Sequence, residues 1–290
     1  MEEKTMANVI QLRKFYSEAL DEVYKLASLT SVLDGDNTLV KEGANANELL
    51  IPKMSMDGLA NYGRNSGYVT GSVTFEYETK KIGYDRGRMF TVDALDEMEA
   101  TPVFSSLSAE FVRTKVVPEL DAYRLGAYAS KAGIGSATGA LANGKAVIDA
   151  VMTAKSAIKD AEASLDTVYL FIKSPLKDLI DGLETTASRA ALDGWAGIIE
   201  VPSSRFFKTI TLNNGTTSGQ EAGGFKGAGA VNFLAVDKRA VIQFQKHTVN
   251  KIITPDQNQD ADAWKFGYRT AGIAEVRDNK LPGIYAHTAQ

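Results

Sequence analysis

The chain has 290 residues, of which 44% are hydrophobic and 23% are charged, a composition typical of a globular protein with one large domain or two smaller ones. Its formal net charge of −4 argues against nucleic-acid binding by charge neutralisation, and the absence of cysteine excludes disulfides, zinc–thiolate sites and thiol nucleophiles. No apolar run approaches the ~20 residues that span a bilayer, and the N-terminus has no signal-peptide pattern, so we expect a protein made and kept in a reducing cytoplasm.

The first predicted element is an amphipathic helix over Val9–Leu29. The polar stretch after it, SVLDGDNTLVKEGANANE, has no period and predicts a flexible or extended connector. The chain therefore begins with an arm that must pack either on its own body or on a neighbouring subunit.

A long β-hairpin is predicted next, over Leu49–Val92, with a glycine-rich tip. Its strands are Leu49–Asp57 and Ser72–Val92, and the second alternates apolar and polar residues from Val73 onward. With no third strand nearby in sequence, such a hairpin is marginal alone in water and needs a surface to lie on.

Charged residues of this hairpin are candidates for contacts with a neighbouring subunit. The candidates are Glu76, Glu78, Lys80, Lys81, Arg86 and Arg88. Their mixed signs favour pairing with a complementary protein surface over phosphate binding. A solvated surface without a partner explains the same pattern equally well.

Apolar residues at helical spacing predict a long helix over Pro102–Ser130, which we call the spine helix. Pro118 should kink it, because proline lacks an N–H and crowds the carbonyl four residues earlier. Two shorter helices broken at Pro118 are the alternative. The acidic residues just before it suit a helix N-terminus or a solvated face. They are Asp93, Asp96, Glu97 and Glu99.

The middle of the chain mixes helices and buried strands, which predicts a compact α/β lobe within residues 140–240. The predicted elements are helices Lys145–Glu162 and Leu176–Gly182 and strands Thr167–Lys173 and Gly197–Val201. The glycine-dense segment Asn213–Ala230 predicts a loop that is either mobile or ordered only by contact.

A last group of strands is predicted to form one antiparallel set. These strands are Val231–Val236, Val241–Lys246, Thr248–Ile253, Lys265–Val276 and Gly283–Thr288.

No motif for catalysis or cofactor binding withstands a check of its context, so we predict no catalytic, cofactor or metal residues and no enzyme. The glycines of Gly133–Gly139 are spaced as in a dinucleotide-binding loop, but a helix rather than a strand precedes them. The alternating acids and amides that start at Asp256 lack the mid-loop glycine and the final glutamate of a calcium loop. Both histidines, His247 and His287, lie in strand patterns without an acidic partner.

The order of three stretches resembles the tailed-bacteriophage major capsid protein family, whose Hong-Kong-ninety-seven-type fold is shared with encapsulins. The stretches are FEYETKKIGYDRGRMFTVD, SAEFVRTKVVPELDAYRLGAYAS and TPDQNQDADAWKFGYRTAGIAEVRDNKLPGIYAHT. The resemblance implies an α+β fold with an N-terminal arm (1–48), an extended β-hairpin loop (49–92), a peripheral domain with the spine helix (93–131 and 237–290) and an axial α/β domain (132–236). Asn213–Ala230 would then be an adaptable loop of the axial domain.

The function that the resemblance implies is structural. Pentamers and hexamers of the chain would form the icosahedral head that encloses the double-stranded DNA of a phage or prophage, in a virion made in the host bacterial cytoplasm. The implied partners are other copies of the chain, a portal, a decoration protein and non-specifically contacted DNA. Since the arm helix begins within ten residues of Met1, we expect a separate scaffolding protein or none. An encapsulin-like compartment shell and an α/β enzyme built on 132–236 are the alternatives.

Overall fold

The computed structural model describes residues 28–35, 41–42, 48–65, 67–94, 109–183 and 185–290. The chain divides into two compact units: Asp36–Gly83, which we call the ribbon, and the remainder, which we call the body. The predicted arm helix lies outside the described residues, apart from Ser28 and Leu29, which are not helical. Helices and sheets are both present, which confirms the α+β class.

The described α-helices are numbered in chain order. They are α1 (Val117–Ala129), α2 (Gly144–Asp160), α3 (Ser174–Asp181) and α4 (Thr186–Leu192). The described strands are numbered in the same way. They are β1 (Lys41–Glu42), β2 (Glu48–Met56), β3 (Val73–Lys81), β4 (Tyr84–Asp93), β5 (Gly135–Thr138), β6 (Val168–Lys173), β7 (Gly197–Val201), β8 (Phe207–Leu212), β9 (Phe225–Asp237), β10 (Val241–Ile253), β11 (Ala263–Val276) and β12 (Ile284–Thr288).

The ribbon is an antiparallel sheet with strand order β1-β2-β3. β2 and β3 pair from one end to the other, which confirms the two strands of the predicted hairpin up to Lys81. The added strand β1 has only two residues, too short for an alternating pattern to be recognised.

The prediction that the second hairpin strand continues to Val92 is wrong. β3 ends at Lys81, and β4 pairs along its length with β11 in a body sheet of order β10-β11-β4. The partner of β4 lies far along the chain, so local alternation could not distinguish a longer hairpin strand from a new one. Arg86 and Arg88 therefore belong to the body and not to the ribbon.

The spine helix is continuous through Pro118, so the two-helix alternative is wrong. A π-helical turn over Val112–Val116 leads directly into α1, and the N–H of Val117 donates to the carbonyl of Val112. This wider register accommodates a proline that cannot donate a hydrogen bond, and π-turns are common sites of helix bending. The predicted start at Pro102 lies outside the described residues.

The larger body sheet has six strands, in the order β5-β12-β9-β6-β7 with β8 beside β9. Leu125 and Tyr128 of the spine helix pack on one face of this sheet, against residues that include Phe171 of β6. The apolar stripe of α2, with Val147 and Val151, packs on the other face together with residues of α3 and α4. Helices therefore cover both faces of this sheet, and the mixture of helices and strands predicted within residues 140–240 is confirmed.

The same spine helix also covers the inner face of the smaller body sheet. Val112, Val117 and Leu120 pack there against aromatic residues that include Phe266 of β11. Contact with two separate sheets explains why this helix is so thoroughly buried.

The single antiparallel set predicted after Val231 is wrong. β10 and β11 belong to the smaller sheet, whereas β9 and β12 belong to the larger one, where β12 lies between β9 and the parallel strand β5. Ile284–Thr288 thus joins the sheet of the lobe expected over 132–236 rather than the peripheral part of the chain. The break predicted near His247 is a bulge within one strand, β10.

Candidate inter-subunit surfaces

One face of the ribbon is apolar and exposed. Met54 pairs with Phe75 and Met56 with Val73, so these side chains project from the same face of the sheet. Tyr77 lies beside Phe75 on this face, with 5.3 Å between the ring centroids. The five side chains are 43–68% exposed in a single copy of the chain. We call them the apolar ribbon face.

The opposite ribbon face is polar. Lys53 pairs with Glu76 in the backbone register, and Ser55 pairs with Thr74. Further along β3, Lys80 Nζ lies 2.6 Å from Glu78 Oε1. The predicted alternation along β3 is confirmed, and Glu76, Glu78, Lys80 and Lys81 do lie on the ribbon.

The tip of the ribbon is held by few contacts and exposes further apolar side chains. Asp57 accepts the N–H of Ser72 on a side-chain oxygen, 2.7 Å away, at the base of the tip. Tyr62 and Tyr68 meet edge to face at 4.9 Å. Tyr68 is nevertheless 90% exposed, and Leu59 is fully exposed.

Arg86 links three parts of the body. Its Nε and Nη2 donate to the two carboxylate oxygens of Glu119 on the spine helix. Its Nη1 donates to the carbonyl of Asn213 over 2.7 Å, and Nη2 also donates to the carbonyl of Gly224 over 3.3 Å. Arg86 is therefore used within the chain, which nothing in its local sequence indicated.

The glycine-rich segment forms a loop only in its first part. Its second part belongs to β9, paired with β8, and only residues 213–224 form a loop. Asn214 Oδ1 accepts the N–H groups of Thr216 and Thr217, and Arg88 Nη1 donates to the carbonyl of Glu221 over 3.1 Å. The prediction of a loop ordered by contact is therefore confirmed for residues 213–224, which bind Arg86 and Arg88 of β4, whereas the prediction of a loop is wrong for residues 225–230, which form a strand.

A cleft of about 650 Å³ lies between β4, residues 110–120 of the spine helix and loop 213–224. Its apolar walls include Phe90, Phe111 and Tyr268, and its charged rim includes Arg88 and Glu110. Among the residues described here, the lining contains no histidine or cysteine that could serve as a base or nucleophile.

A buried polar cluster at Asp121 was missed by the sequence analysis. Asp121 is fully buried on the spine helix and accepts hydrogen bonds from Ser28, Leu29 and Thr30. Ser28 and Leu29, which were predicted as the end of the arm helix, are therefore part of a non-helical segment held on the spine helix. A lone aspartate among the apolar residues of a helix was the available signal, since such a group must find partners.

The two histidines have different environments. His287 is buried against the ring of Phe233, and its Nδ1 lies 3.1 Å from Nδ2 of Asn232. Burial lowers the pKa of His287 below its ordinary value. His247 is exposed on β10.

The acidic turn that follows β10 is stabilised by a hydrogen bond and an ion pair between residues that are close in sequence. Asn258 donates to the carbonyl of Ala263, and Lys265 Nζ lies 2.6 Å from Asp260 Oδ2. The Lys265 ammonium lowers the pKa of the Asp260 carboxyl. Within the described ranges, no group of three or more His, Cys, Asp or Glu side chains is arranged to hold a metal ion.

None of the helices in the described part of the chain combines the length and apolarity needed to cross a membrane.

No protein-family model and no curated protein matches the chain. Solved structures do match its fold. The capsid of the cyanophage P-SCSP1u has a TM-score of 0.62 and 11% identity, with 86% of this chain and 85% of that chain covered. The mature capsid of bacteriophage PhiM1 has a TM-score of 0.60 and 12% identity, with 84% of this chain and 82% of that chain covered. A virus-like particle from Pyrococcus furiosus has a TM-score of 0.59 and 12% identity, with 94% of this chain and 97% of that chain covered.

These matches span most of each chain, so the likeness extends to the whole architecture and not to one sheet or helix pair. At identities this low it is a likeness of fold. It agrees with the fold expected from the sequence resemblance. The chain therefore has the fold found in these phage capsid structures.

Proposed function

We propose that the chain is a structural major capsid protein. Copies associate into pentamers and hexamers that close an icosahedral head around double-stranded DNA. The observation that carries the proposal is the apolar ribbon face, which is exposed in a single copy although it contains two methionines, a valine and two aromatic residues. A ribbon of this kind is marginal in water, and exposed apolar patches mark surfaces that bind protein.

The fold supports the same conclusion. The solved structures that share it include capsids of a cyanophage and of PhiM1 and a virus-like particle. In a shell, each copy would cover the ribbon of a neighbour, and symmetry would repeat every weak contact many times. A structural rather than catalytic role follows from this proposal.

Within the shell, we assign separate roles to parts of the chain. Residues 36–83 form the extended loop, in place of the span 49–92 expected from the sequence. The lobe of residues 132–236, together with Ile284–Thr288, surrounds the pentamer and hexamer axes. The peripheral part comprises residues 84–131 and 237–283, because β4 pairs with β11.

We propose that the charged ribbon residues determine which surface of a neighbouring copy is bound. They do not supply most of the binding affinity. Glu76, Glu78, Lys80 and Lys81 keep this role because they lie on the ribbon. Arg88, whose side chain is exposed although its Nη1 donates to the carbonyl of Glu221, remains a candidate for a contact with a neighbour. Arg86 is a weaker choice because Glu119 and two carbonyls already occupy its guanidinium.

The remaining partners follow from the family resemblance. They are a scaffolding protein, a portal, a decoration protein and packaged DNA, which is contacted non-specifically. The protein would be made in the cytoplasm of the bacterial host and would end in the virion.

Electron microscopy of the purified, concentrated protein, combined with light scattering, tests the proposal. Closed shells of one or a few regular sizes are the expected result. Shells that contain nucleic acid when isolated from the native host support a phage head, whereas shells that contain a protein cargo indicate an encapsulin-like compartment. A monomer or dimer at every concentration, together with binding of a small molecule, would favour the enzyme alternative and contradict the proposal.

A further inference from the structure

The strand β3 is the outer strand of the ribbon, whose strands are ordered β1-β2-β3. Within the described residues it pairs with β2 only, so its other side is an open edge. The opposite edge of the ribbon is interrupted, because β1 covers only Leu49 and Leu50 of β2 and the nearby Pro52 has no N–H to donate. β3 runs for nine residues without a proline. It is therefore the continuous edge that the ribbon offers to another strand.

The direction of the backbone groups of β3 follows from its register with β2. The N–H of Asp57 donates to the carbonyl of Ser72 over 3.1 Å, at the position that continues this register. Hydrogen-bonded and non-hydrogen-bonded pairs alternate in an antiparallel sheet. Tyr77 therefore falls in a non-hydrogen-bonded pair, and its partner in the register is Pro52, which has no N–H. The even-numbered residues of β3 direct their N–H and C=O groups towards β2, and the odd-numbered residues, such as Thr79, direct theirs towards the open edge.

The charged side chains of β3 follow a self-complementary order. Glu78 and Lys80 flank Thr79 and project from the polar face of the ribbon, where Lys80 Nζ lies 2.6 Å from Glu78 Oε1. Thr79 itself is exposed. A two-fold axis at Thr79 that relates two antiparallel β3 strands would place each Glu78 directly opposite Lys80 of a second copy. Each lysine would then lie between two glutamates, one from its own strand and one from the second copy.

The backbone geometry agrees with this register. Thr79 directs its backbone groups to the open edge, so the two Thr79 residues can exchange both N–H···O=C hydrogen bonds of a hydrogen-bonded pair. Glu78 and Lys80 then fall in non-hydrogen-bonded pairs, in which the Cα atoms of opposite residues are only about 4.5 Å apart and the side chains are closest. On the other face of the sheet, Lys81 lies opposite Tyr77 of the second copy, an arrangement that suits a cation and an aromatic ring.

Neighbouring registers are less favourable. An axis at Tyr77 would place Glu76 opposite Glu78 of the second copy. An axis at Lys81 would place the two Lys81 side chains opposite each other. Like charges directly opposite one another destabilise a pair of strands. A shift by a single residue would instead oppose backbone groups that already pair with β2.

We propose that β3 pairs antiparallel with β3 of a second copy about a two-fold axis at Thr79, so that two ribbons form one continuous sheet. The contact is isologous, and the two apolar ribbon faces lie side by side on the same side of the joined sheet. The inference rests on the proposed function and deepens it, since it names one contact through which copies associate. Lysines on an edge strand usually prevent such pairing. Here Lys80 lies opposite a glutamate and Lys81 opposite an aromatic ring, so they favour one partner and one register.

Disulfide trapping on the full chain tests this contact. The chain has no cysteine, so the single substitution Thr79→Cys can cross-link only to the same position of another copy. In the proposed register the two Cα atoms are about 5.5 Å apart, within the range that a disulfide spans. Thr74→Cys is the matched control, at an exposed position of the same strand. Its two copies would lie roughly 33 Å apart, at about 3.3 Å per residue.

Charge variants in the Thr79→Cys background test the register. Glu78→Lys makes both Glu78–Lys80 pairs repulsive, and we expect the rate of cross-linking to fall about tenfold. Glu78→Lys combined with Lys80→Glu places opposite charges across the contact again and should restore the rate. Glu76→Lys makes the same change of charge, but Glu76 lies opposite the uncharged Ile82 of the second copy, so this control should keep the rate of the parent variant.

Disulfide-linked dimers from Thr79→Cys, none from Thr74→Cys and rescue by the charge exchange are the expected results. Equal cross-linking at the two positions, or an equal effect of Glu78→Lys and Glu76→Lys, would overturn the inference. Shell formation by the wild type is scored separately and tests the proposed function. Shells in which Thr79→Cys does not cross-link would refute this contact and leave the proposed function intact. Dimers linked through Thr79→Cys, from a protein that never forms shells, would keep the contact and refute the proposed function.

Discussion

The guanidinium of Arg86 is held by both oxygens of the Glu119 carboxylate: Nε donates to Oε1 over 2.6 Å and Nη2 donates to Oε2 over 3.3 Å. Glu119 lies directly after Pro118 on the spine helix. Because the same guanidinium binds the carbonyls of Asn213 and Gly224, one side chain joins β4, the spine helix and loop 213–224.

Arg86→Met should therefore lower the free energy of unfolding by about 1–3 kcal/mol, since Glu119 and two carbonyls lose a donor in a partly buried place. Urea unfolding measures this change, and limited proteolysis should cut loop 213–224 sooner than in the wild type. Arg113→Met is the matched control: Arg113 pairs with Glu110 on the same helix, but both side chains are more than half exposed. Exposed pairs contribute roughly 0–1 kcal/mol, so equal losses in the two variants would contradict this assignment.

The spacing of apolar residues was enough to predict those elements whose buried face can be recognised within the element's own sequence. The alternation of Val73, Phe75 and Tyr77 correctly predicted a ribbon strand with one apolar face. The stripe of α2 and the continuous apolar run of β6 were predicted within a few residues of their observed ends. In each case the pattern of apolar residues along the element indicates which of its faces packs against other apolar groups.

Features that depend on distant partners could not be predicted in this way. Arg86 looked like a ribbon residue because β4 continues the alternation of β3, and only its pairing with β11 assigns it to the body. Phe225–Ala230 looked like a loop because it is rich in glycine, yet pairing with β8 makes it a strand. Ser28 and Leu29 looked like the end of the arm helix because local periodicity does not report their partner, Asp121, which is more than 90 residues away.

The apolar ribbon face should be needed for assembly and dispensable for folding. In Met54→Ser with Phe75→Ser, we expect the free energy of unfolding of the isolated subunit to change by less than about 0.5 kcal/mol, because both side chains are already exposed. Shell yield in sedimentation velocity should fall sharply, because the surface that a neighbour covers is lost.

The control for this change lies on the other face of the same strands. Ser55→Ala with Thr74→Ala alters a cross-strand pair that points away from the apolar ribbon face. Shell yield in this variant should stay close to that of the wild type. If both double variants lost the same yield, the apolar face would have no special part in assembly.

Gly144 is required where α2 meets α3. A Cβ added at this position would overlap the backbone carbonyl oxygen of Leu179 and approach the Leu183 side chain. Alanine normally stabilises a helix relative to glycine by about 1 kcal/mol, but here we expect Gly144→Ala to destabilise the protein by about 1–3 kcal/mol through overpacking. Thermal and urea unfolding measure the sign. Gly139→Ala is the control, because its Cβ would meet only His287 at an ordinary contact distance of 3.9 Å.

His287 should make the stability of the body depend on pH on the acid side. The amide of Asn232 donates both to the carbonyl of Gly139 and to Nδ1 of His287, each over 3.1 Å, so the imidazole is held in a neutral form that accepts at Nδ1. Burial lowers the pKa of His287 below its ordinary value of 6.5. In the unfolded chain the same imidazole binds a proton near that ordinary value.

As the pH falls below about 6.5, the unfolded state takes up a proton that the folded state resists, so the free energy of unfolding decreases until the pH passes the lowered pKa of the folded protein. His287→Gln removes this titration, and we expect the decrease in urea-derived stability from pH 7.5 to pH 5 to be smaller than in the wild type, whatever the variant costs at pH 7.5. His247→Gln, at an exposed position of β10, should keep the wild-type dependence. If His287→Gln retained the full decrease, protonation of other groups would account for the acid sensitivity.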